Sequence, residues 1–305
     1  MAPLVWKKLM SATDGTVQID VVIVNYNAGD ALVRCVSSVL SQQTPVRITV
    51  TDNASTDDSM KQLQSAFAGS AQVKLIANDT NLGFARAVNA AVSRIGEAAR
   101  YLLILNPDCE LLTGSLPLLV AALDQDTGAA IAGPAVVDRQ GQPMKGTMRR
   151  FPNPWNAFLT FSGLWRMGRF FPAFQGVDGS TRLPATTVEA EAVSGACMLL
   201  RADLFHQVNG LDESYGLHCE DLDLMFRLRE RGYHCLLVPA AQVFHQQGLS
   251  SSSRPVWVHW QKHLGMQRFF LKFQASRHVF PMRWLVLAGI WIRFALTLPL
   301  VLIRS

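Results

Sequence analysis

The sequence predicts an α/β protein: a doubly wound, mostly parallel sheet flanked by helices, with a basic and apolar helical extension at its C-terminal end. Three observations lead there. Between residues 19 and 108 short apolar runs alternate with amphipathic segments, the order that builds βαβ units and a parallel sheet. Each of those runs stops at Asn or Asp, and in open α/β sheets the ligand crevice lies outside the carboxyl ends of the strands. After Glu230 every charged side chain is basic, and a 20-residue apolar stretch fills 284–303.

The elements follow in order. "IDVVIVNYN" (19–27) is a β-branched run ending in polar residues and reads as a buried parallel strand. "DALVRCVSSVLSQ" places Leu32, Val36, Val39 and Leu40 on one helical face. The alternation repeats as strand "RITVTDN", helix "DDSMKQLQSAF", strand "VKLIAN", helix "FARAVNAAVSRI" and strand "YLLILNPD". The strand tips Asn25, Asn27, Asp52, Asn53, Asn81, Asn106 and Asp108 are therefore expected to converge. After Asp138 the pattern breaks into the aromatic stretch "RRFPNPWNAFLTFSGLWRMGRFFPAF" and resumes at "VSGACMLLRADLFHQVNGLDE". "HCEDLDLMFRLRERGY" is a helix with Leu224, Phe226 and Leu228 on its apolar side and Gly232 closing it. "HCLLVPAAQVFH" is the last strand.

Composition narrows the class. With 305 residues, 49% hydrophobic and 17% charged, the chain is long and apolar enough to pack a globular core. Nine Lys or Arg follow Glu230; subtracting them from 28 leaves 19 basic against 23 acidic residues before it, a net of −4, so the overall +5 belongs to the C-terminal quarter. Beside the apolar run, that charge favours an anionic membrane surface over nucleic acid. Five cysteines without a CxxC point to neither a disulfide framework nor a zinc site, and "MAPLVWKKLMSATDGT" has no apolar signal core. The active part is expected in the cytoplasm, at the inner face of the cell membrane.

The chemistry-bearing residues each have a plainer alternative. No GxGxxG follows the first strand and no GxxxxGK[ST] occurs, which removes the usual dinucleotide and P-loop readings. Asp52 can accept from the imide N–H of uracil or thymine, or simply close a polar turn whose Asp57 and Asp58 serve as N-cap and first-turn acids. Asp108 can bind a divalent cation together with a diphosphate, or cap a turn. Glu220, Asp221 and Asp223 exceed what a helix dipole needs; Asp223 faces Arg227 at i,i+4, which leaves Asp221 free to act as a base. His245 can complete a metal shell or be a hydrogen-bonded structural residue.

In order and with ordinary spacing, "VVIVNYN", "VTDNASTD", "NLGFARAVNAA", "LLILNPDC", "VSGACMLLRADLFHQVNGLDE" and "CEDLDLMFRLRERGYHCLLVPAAQVFH" resemble the family 2 glycosyltransferases, inverting enzymes of the glycosyltransferase-A fold, especially their rhamnosyltransferase-like branch in cell-surface polysaccharide assembly. The resemblance covers roughly residues 18–275. It implies that Asn25, Asn27, Asp52 and Asn53 line the nucleotide pocket, that Asn81 and Gly83 approach the donor, and that Asp108 takes the place of the last acid of the DxD motif, with Asn106 replacing the first. It also implies Glu220-Asp221 as the catalytic pair, Asp221 as base, and Asp108 with His245 as ligands for Mg²⁺ or Mn²⁺. The implied reaction is a single in-line displacement from a nucleotide-sugar donor, dTDP-L-rhamnose among the options, to a saccharide or polyprenyl-diphosphate-linked acceptor. Two other classes stand beside it: a nucleotidyltransferase making the activated sugar, and a non-catalytic membrane scaffold.

The expected organisation is a tail at 1–17, a nucleotide-sugar-binding half at 18–140, an acceptor-binding and catalytic half at 141–250 and a membrane-associating extension at 251–305. Residues 149–174 hold eight aromatics, four Arg and no acid, which suits a lipid-linked, diphosphate-bearing acceptor, with Arg166 and Arg169 as its contacts. The alternative is an aromatic insertion packed on its own domain. Within 284–303, Arg293 at the centre and Pro299, expected to interrupt the helix, argue for an interfacial helix over a single crossing. Burial against the catalytic domain is the remaining alternative.

Overall fold

The computed structural model describes residues 19–96, 99–169, 176–177, 183–246 and 254–304; the tail at 1–17 lies outside them. Strands β1 (Ile19–Asn25), β2 (Val46–Asp52), β3 (Val73–Ala77) and β4 (Tyr101–Leu105) alternate with helices α1 (Ala31–Leu40), α2 (Ser59–Ala66) and α3 (Phe84–Ile95). These strands are all parallel, in the order β3-β2-β1-β4. Every residue of β4 is buried: Tyr101, Leu103 and Leu105 join one core, and Leu102 and Ile104 the core on the opposite face. Side chains alternate along a strand, so an unbroken apolar run is what a sheet covered on both faces requires.

The sheet continues with strands from further along the chain. β5 (Cys109–Leu111), α4 (Ser115–Gln125), β6 (Ala129–Val137), β7 (Met148–Arg149) and α5 (Pro154–Ser162) come next. They are followed by β8 (Val188–Ala190), β9 (Ala192–Val193), β10 (Cys197–Arg201), α6 (Ala202–Gln207), α7 (Glu220–Glu230) and β11 (His234–His245). The order runs on from β4 as β10-β6-β11-β5, with β8 also on β11. β10 is antiparallel to both β4 and β6, whereas β6 and β11 are parallel. The expected mostly parallel sheet is thus present, with β10 as a reversed strand at its centre. β7 and β9 form a separate two-stranded ribbon.

Helix α5 starts with a capping box: Asn153 and Asn156 each accept from the other's backbone N–H, and Pro154 occupies the first turn. Helix α7 is buried almost all round, including Leu224, Phe226 and Leu228. Its cap residue is Arg231 rather than the expected Gly232; Gly232 follows at φ +88°, the left-handed position just beyond a helix end. Asp223 is fully buried and pairs with both Arg227 and Lys272, a structural knot rather than a surface pair.

Two helices close the chain, α8 (Pro255–Phe273) and α9 (Phe280–Arg304), packed as a hairpin. Trp291 Nε1 donates to Gln267 Oε1 at 2.6 Å, and the Trp260 and Trp291 rings lie 4.8 Å apart. Phe280–Ile303 is long and apolar enough to cross a membrane, and none of its most apolar window is buried. Burial against the catalytic domain, one of the alternatives above, is therefore not found. Nor does Pro299 interrupt the helix, which runs through it to Arg304.

Candidate active site

The parallel strands bring their tips to one edge. Asn25 and Asp52 face each other in the β1–β2 register, and Asn25 Nδ2 donates to Asp52 Oδ1 at 2.7 Å and to the Ser55 and Ser59 hydroxyls. Asp52 Oδ2 accepts from the Ser55 backbone N–H at 3.0 Å, so this carboxylate also closes the turn after β2. Asn25 is fully buried and its Oδ1 has no protein donor, a buried polar atom whose bonding is unmet. Asn27 adopts φ +52° and its Oδ1 takes the backbone N–H groups of Thr56 and Asp57. Asp57 holds Gly29 N and Ser59, while Asp58 stands at the N-cap without a side-chain cap bond. Asn53 Nδ2 reaches Gly83 O, and Asn81 Oδ1 accepts from Gly83 N, fixing the loop in which Gly83 has φ +79°.

At the other end of that edge, the Asp108 Oδ1 and His245 Nε2 atoms are 3.2 Å apart, both nearly buried. Pairing of Cys109 with His245 in the β5–β11 ladder makes the contact. Asn106 supports it through its backbone, donating to Ala196 O and accepting from Cys109 N. Ligand atoms of Asp108, Cys109 and His245 all lie within 4.8 Å of one another. Burial, with the Asp108 charge next, pushes the Cys109 thiol well up, and a soft sulfur ligand suits Mg²⁺ or Mn²⁺ poorly beside carboxylate and phosphate oxygens. What remains is one carboxylate oxygen and one imidazole nitrogen, a set that fits Mn²⁺ or Mg²⁺ with diphosphate oxygens filling the other positions.

The acid pair opens α7. Glu220 is buried, its Oε2 has no protein partner, and burial with the adjacent Asp221 charge raises its carboxyl far above the ordinary range. Asp221 is not free, as the sequence suggested: Arg149 Nη1 donates to its Oδ2 at 2.8 Å. The cause is the β7–β9 ribbon, which delivers the first arginine of the aromatic stretch to the start of α7. Just before the pair, His218 and Cys219 adopt φ +68° and +72°, left-handed conformations that cost non-glycine residues on the order of 1 kcal/mol each. Gly195 leaves room for the carboxylate, since an added Cβ would stand 2.5 Å from Asp221 Oδ2. Arg149, Gly195 and His218 were all missed as site residues, although Gly195 sits within the "VSGAC" motif. Arg166 is exposed, with its guanidinium folded back over Gly163; the side chain of Arg169 lies outside the described residues.

A mostly parallel sheet with polar strand tips, an Asp108–His245 pair and an acid pair opening a buried helix is the arrangement expected of a nucleotide-sugar-dependent glycosyltransferase of the glycosyltransferase-A type. The family follows from comparison with known proteins. The model of glycosyl transferase family 2 matches residues 20–206, and the chain belongs to that family. It is 30% identical, over 93% of its length and 94% of the relative's, to N-acetylglucosaminyl-diphospho-decaprenol L-rhamnosyltransferase of Mycobacterium tuberculosis. Among solved structures, the mannosyltransferase PcManGT of Pyrobaculum calidifontis with GDP-Man and Mn²⁺ superposes with TM-score 0.57 at 17% identity, over 99% of this chain and 79% of that one. GalNAc-T7 with UDP, GalNAc and Mn²⁺ gives TM-score 0.60 at 17% identity over 85% of this chain, which spans about half (48%) of that protein. At these identities the two structures speak for the fold.

Proposed function

We propose that the chain transfers a hexose of the rhamnose type, from a nucleoside-diphosphate donor such as dTDP-L-rhamnose, to a saccharide carried on polyprenyl diphosphate, with inversion. The work belongs to cell-surface polysaccharide synthesis at the cytoplasmic face of the membrane. The observation that supports this reading is the Asp108–His245 pair at 3.2 Å, with Asp221 packed against Gly195, whose neighbour Ala196 accepts from Asn106 N at the end of β4. The name of the mycobacterial relative supports both the sugar and the lipid-linked acceptor.

The residues divide the task. Asn25, Asn27, Asp52 and Asn53 border the base and ribose, with Asn25 fixing the Asp52 carboxylate from below through its Nδ2. Asn81, Gly83 and Asn106 border the donor sugar and diphosphate. Asp108 and His245 would hold Mg²⁺ or Mn²⁺, which when bound neutralises charge on the departing diphosphate. Asp221 takes the proton from the acceptor hydroxyl as that oxygen attacks the anomeric carbon from the face opposite the nucleotide. Glu220, kept neutral by burial, leaves the negative charge of the pair on Asp221.

The test is an assay of the purified chain with dTDP-L-rhamnose, UDP- and GDP-sugars, an N-acetylglucosaminyl-diphosphate-lipid acceptor, and Mn²⁺, Mg²⁺ or chelator. An inverted rhamnosyl product that needs metal is expected. Transfer of a different sugar would overturn the donor assignment, and full turnover in chelator would overturn the metal site.

A further inference from the structure

We propose that Arg149 is a positioning residue for the base: by holding Oδ2 of Asp221 it fixes the direction in which the rest of that carboxylate meets the acceptor hydroxyl. This rests on the transfer reading above, with Asp221 as its base, and adds the group that orients it.

The carboxylate is held from three sides. Arg149 Nη1 donates to Oδ2 at 2.8 Å, Leu222 N donates to Oδ1 at 2.8 Å, and Gly195 closes in behind, where an added Cβ would stand 2.8 Å from the Asp221 Cβ. A carboxylate offers about four acceptor positions, so these two donors leave room for an acceptor O–H. The arginine is itself held. Two residues on, Phe151 packs edge-on against Phe226 of α7 with centroids 5.0 Å apart, stacks on Phe269 of α8 at 6.3 Å, and donates its backbone N–H to Glu191 Oε2 at 3.1 Å. Across the ribbon Arg149 pairs with Ala192, and the adjacent Val193 is pressed onto β6 so closely that an added Cβ at Gly133 would stand 2.6 Å from it. The guanidinium therefore reaches Asp221 from a fixed support.

Stability alone does not call for this contact. Asp221 lies in the first turn of α7, where the helix dipole already favours an acid and the backbone supplies a donor. The ion pair is made nonetheless, by an arginine 72 residues away, and it is mostly withdrawn from water, with 22% and 12% of the two side chains accessible. A planar, rigid guanidinium restricts the rotation of the carboxylate it holds. Proton abstraction needs the base within hydrogen-bond reach of the hydroxyl, and a misplacement of about 1 Å can cost on the order of 100-fold in rate. An acid at a helix start with no such partner would be free to turn away from the acceptor.

The experiment measures transfer to the N-acetylglucosaminyl-diphosphate lipid by the wild type, Arg149→Met, Arg149→Lys and Gly195→Ala, each with Asp221 present and combined with Asp221→Asn. Nucleoside-diphosphate affinity and the melting temperature are measured in parallel. Arg149→Met keeps an unbranched apolar stem and loses the donor. Its kcat should fall about 10- to 100-fold with acceptor KM and nucleoside-diphosphate affinity near wild type, and Arg149→Lys should recover part of the loss. Gly195→Ala, which crowds the same carboxylate from behind, should also lower kcat. In the Asp221→Asn background none of the three should lower turnover much further, because no base is left to orient. An unchanged kcat, an equal fall in both backgrounds, a fall carried by acceptor KM, which would assign Arg149 to the acceptor, or a fall matched by loss of folded protein overturns the proposal. Full turnover in Asp221→Asn alone overturns the base assignment and this role with it, while a wild type that forms no glycoside with any donor overturns the transfer reading itself.

Discussion

Asp221 meets two demands at once: as the proposed base it must reach the acceptor hydroxyl, yet its Oδ2 already accepts from the Arg149 guanidinium at 2.8 Å. Asp221→Asn is expected to cut turnover by about 10² to 10⁴ while leaving nucleoside-diphosphate affinity near wild type; a sugar-transfer assay paired with calorimetry checks both. Glu220 gives a pH signature. Its carboxyl is raised in the folded state, so folding retains a proton that the unfolded chain has lost. Its contribution to stability is intact below the ordinary glutamate value of 4.5 and declines as pH climbs toward the raised value. Thermal unfolding from pH 5 to 8 should therefore show a decline that Glu220→Gln flattens. The acid pair was legible in the sequence because three acids in four positions exceed the needs of a helix start. Its partner Arg149 was not, because a contact across 72 residues depends on a two-residue ribbon that carries no periodicity.

At the scale of elements, the strands β1 and β4 were legible because apolar, β-branched or leucine-rich runs ending in Asn or Asp admit few other readings, and β2 because its Val and Ile residues recur in the same βαβ alternation. β10 was not: "CMLLR" looks the same whether it runs with or against its neighbours, and only the tertiary fold sets its direction. Arg293, read as a charge at the centre of an apolar run, lies on the α8-facing side of α9 with Nη1 3.6 Å from Met266 Sδ. Leu285, Ile292, Leu296 and Leu300 of the same helix are each more than half exposed, and an exposed apolar surface of this kind is what the expected interfacial placement requires. The double change Ile292→Asp and Leu296→Asp should abolish co-sedimentation with vesicles containing phosphatidylglycerol while leaving nucleotide binding unchanged.

At the scale of the molecule, Asp52 and Asp108 stand at or just beyond the ends of the parallel strands, while every charged side chain after Glu230 is basic. Donor and metal should stabilise the whole fold together. At 100 times its dissociation constant a ligand adds about 2.7 kcal/mol, so nucleoside diphosphate with Mn²⁺ should raise the melting temperature, and chelator or Asp108→Ala should remove the rise. The central position of β10 has a consequence for synthesis. β4 pairs on one side with β1, but on the other side Leu105 must wait for Cys197. While the ribosome makes the intervening chain, the most apolar strand of the protein stands as an open edge, the kind that recruits other chains. The nascent protein is therefore most vulnerable to aggregation midway through translation, and pausing or premature release in that interval would be more damaging than the same event before β4 has formed or after β10 has closed the gap.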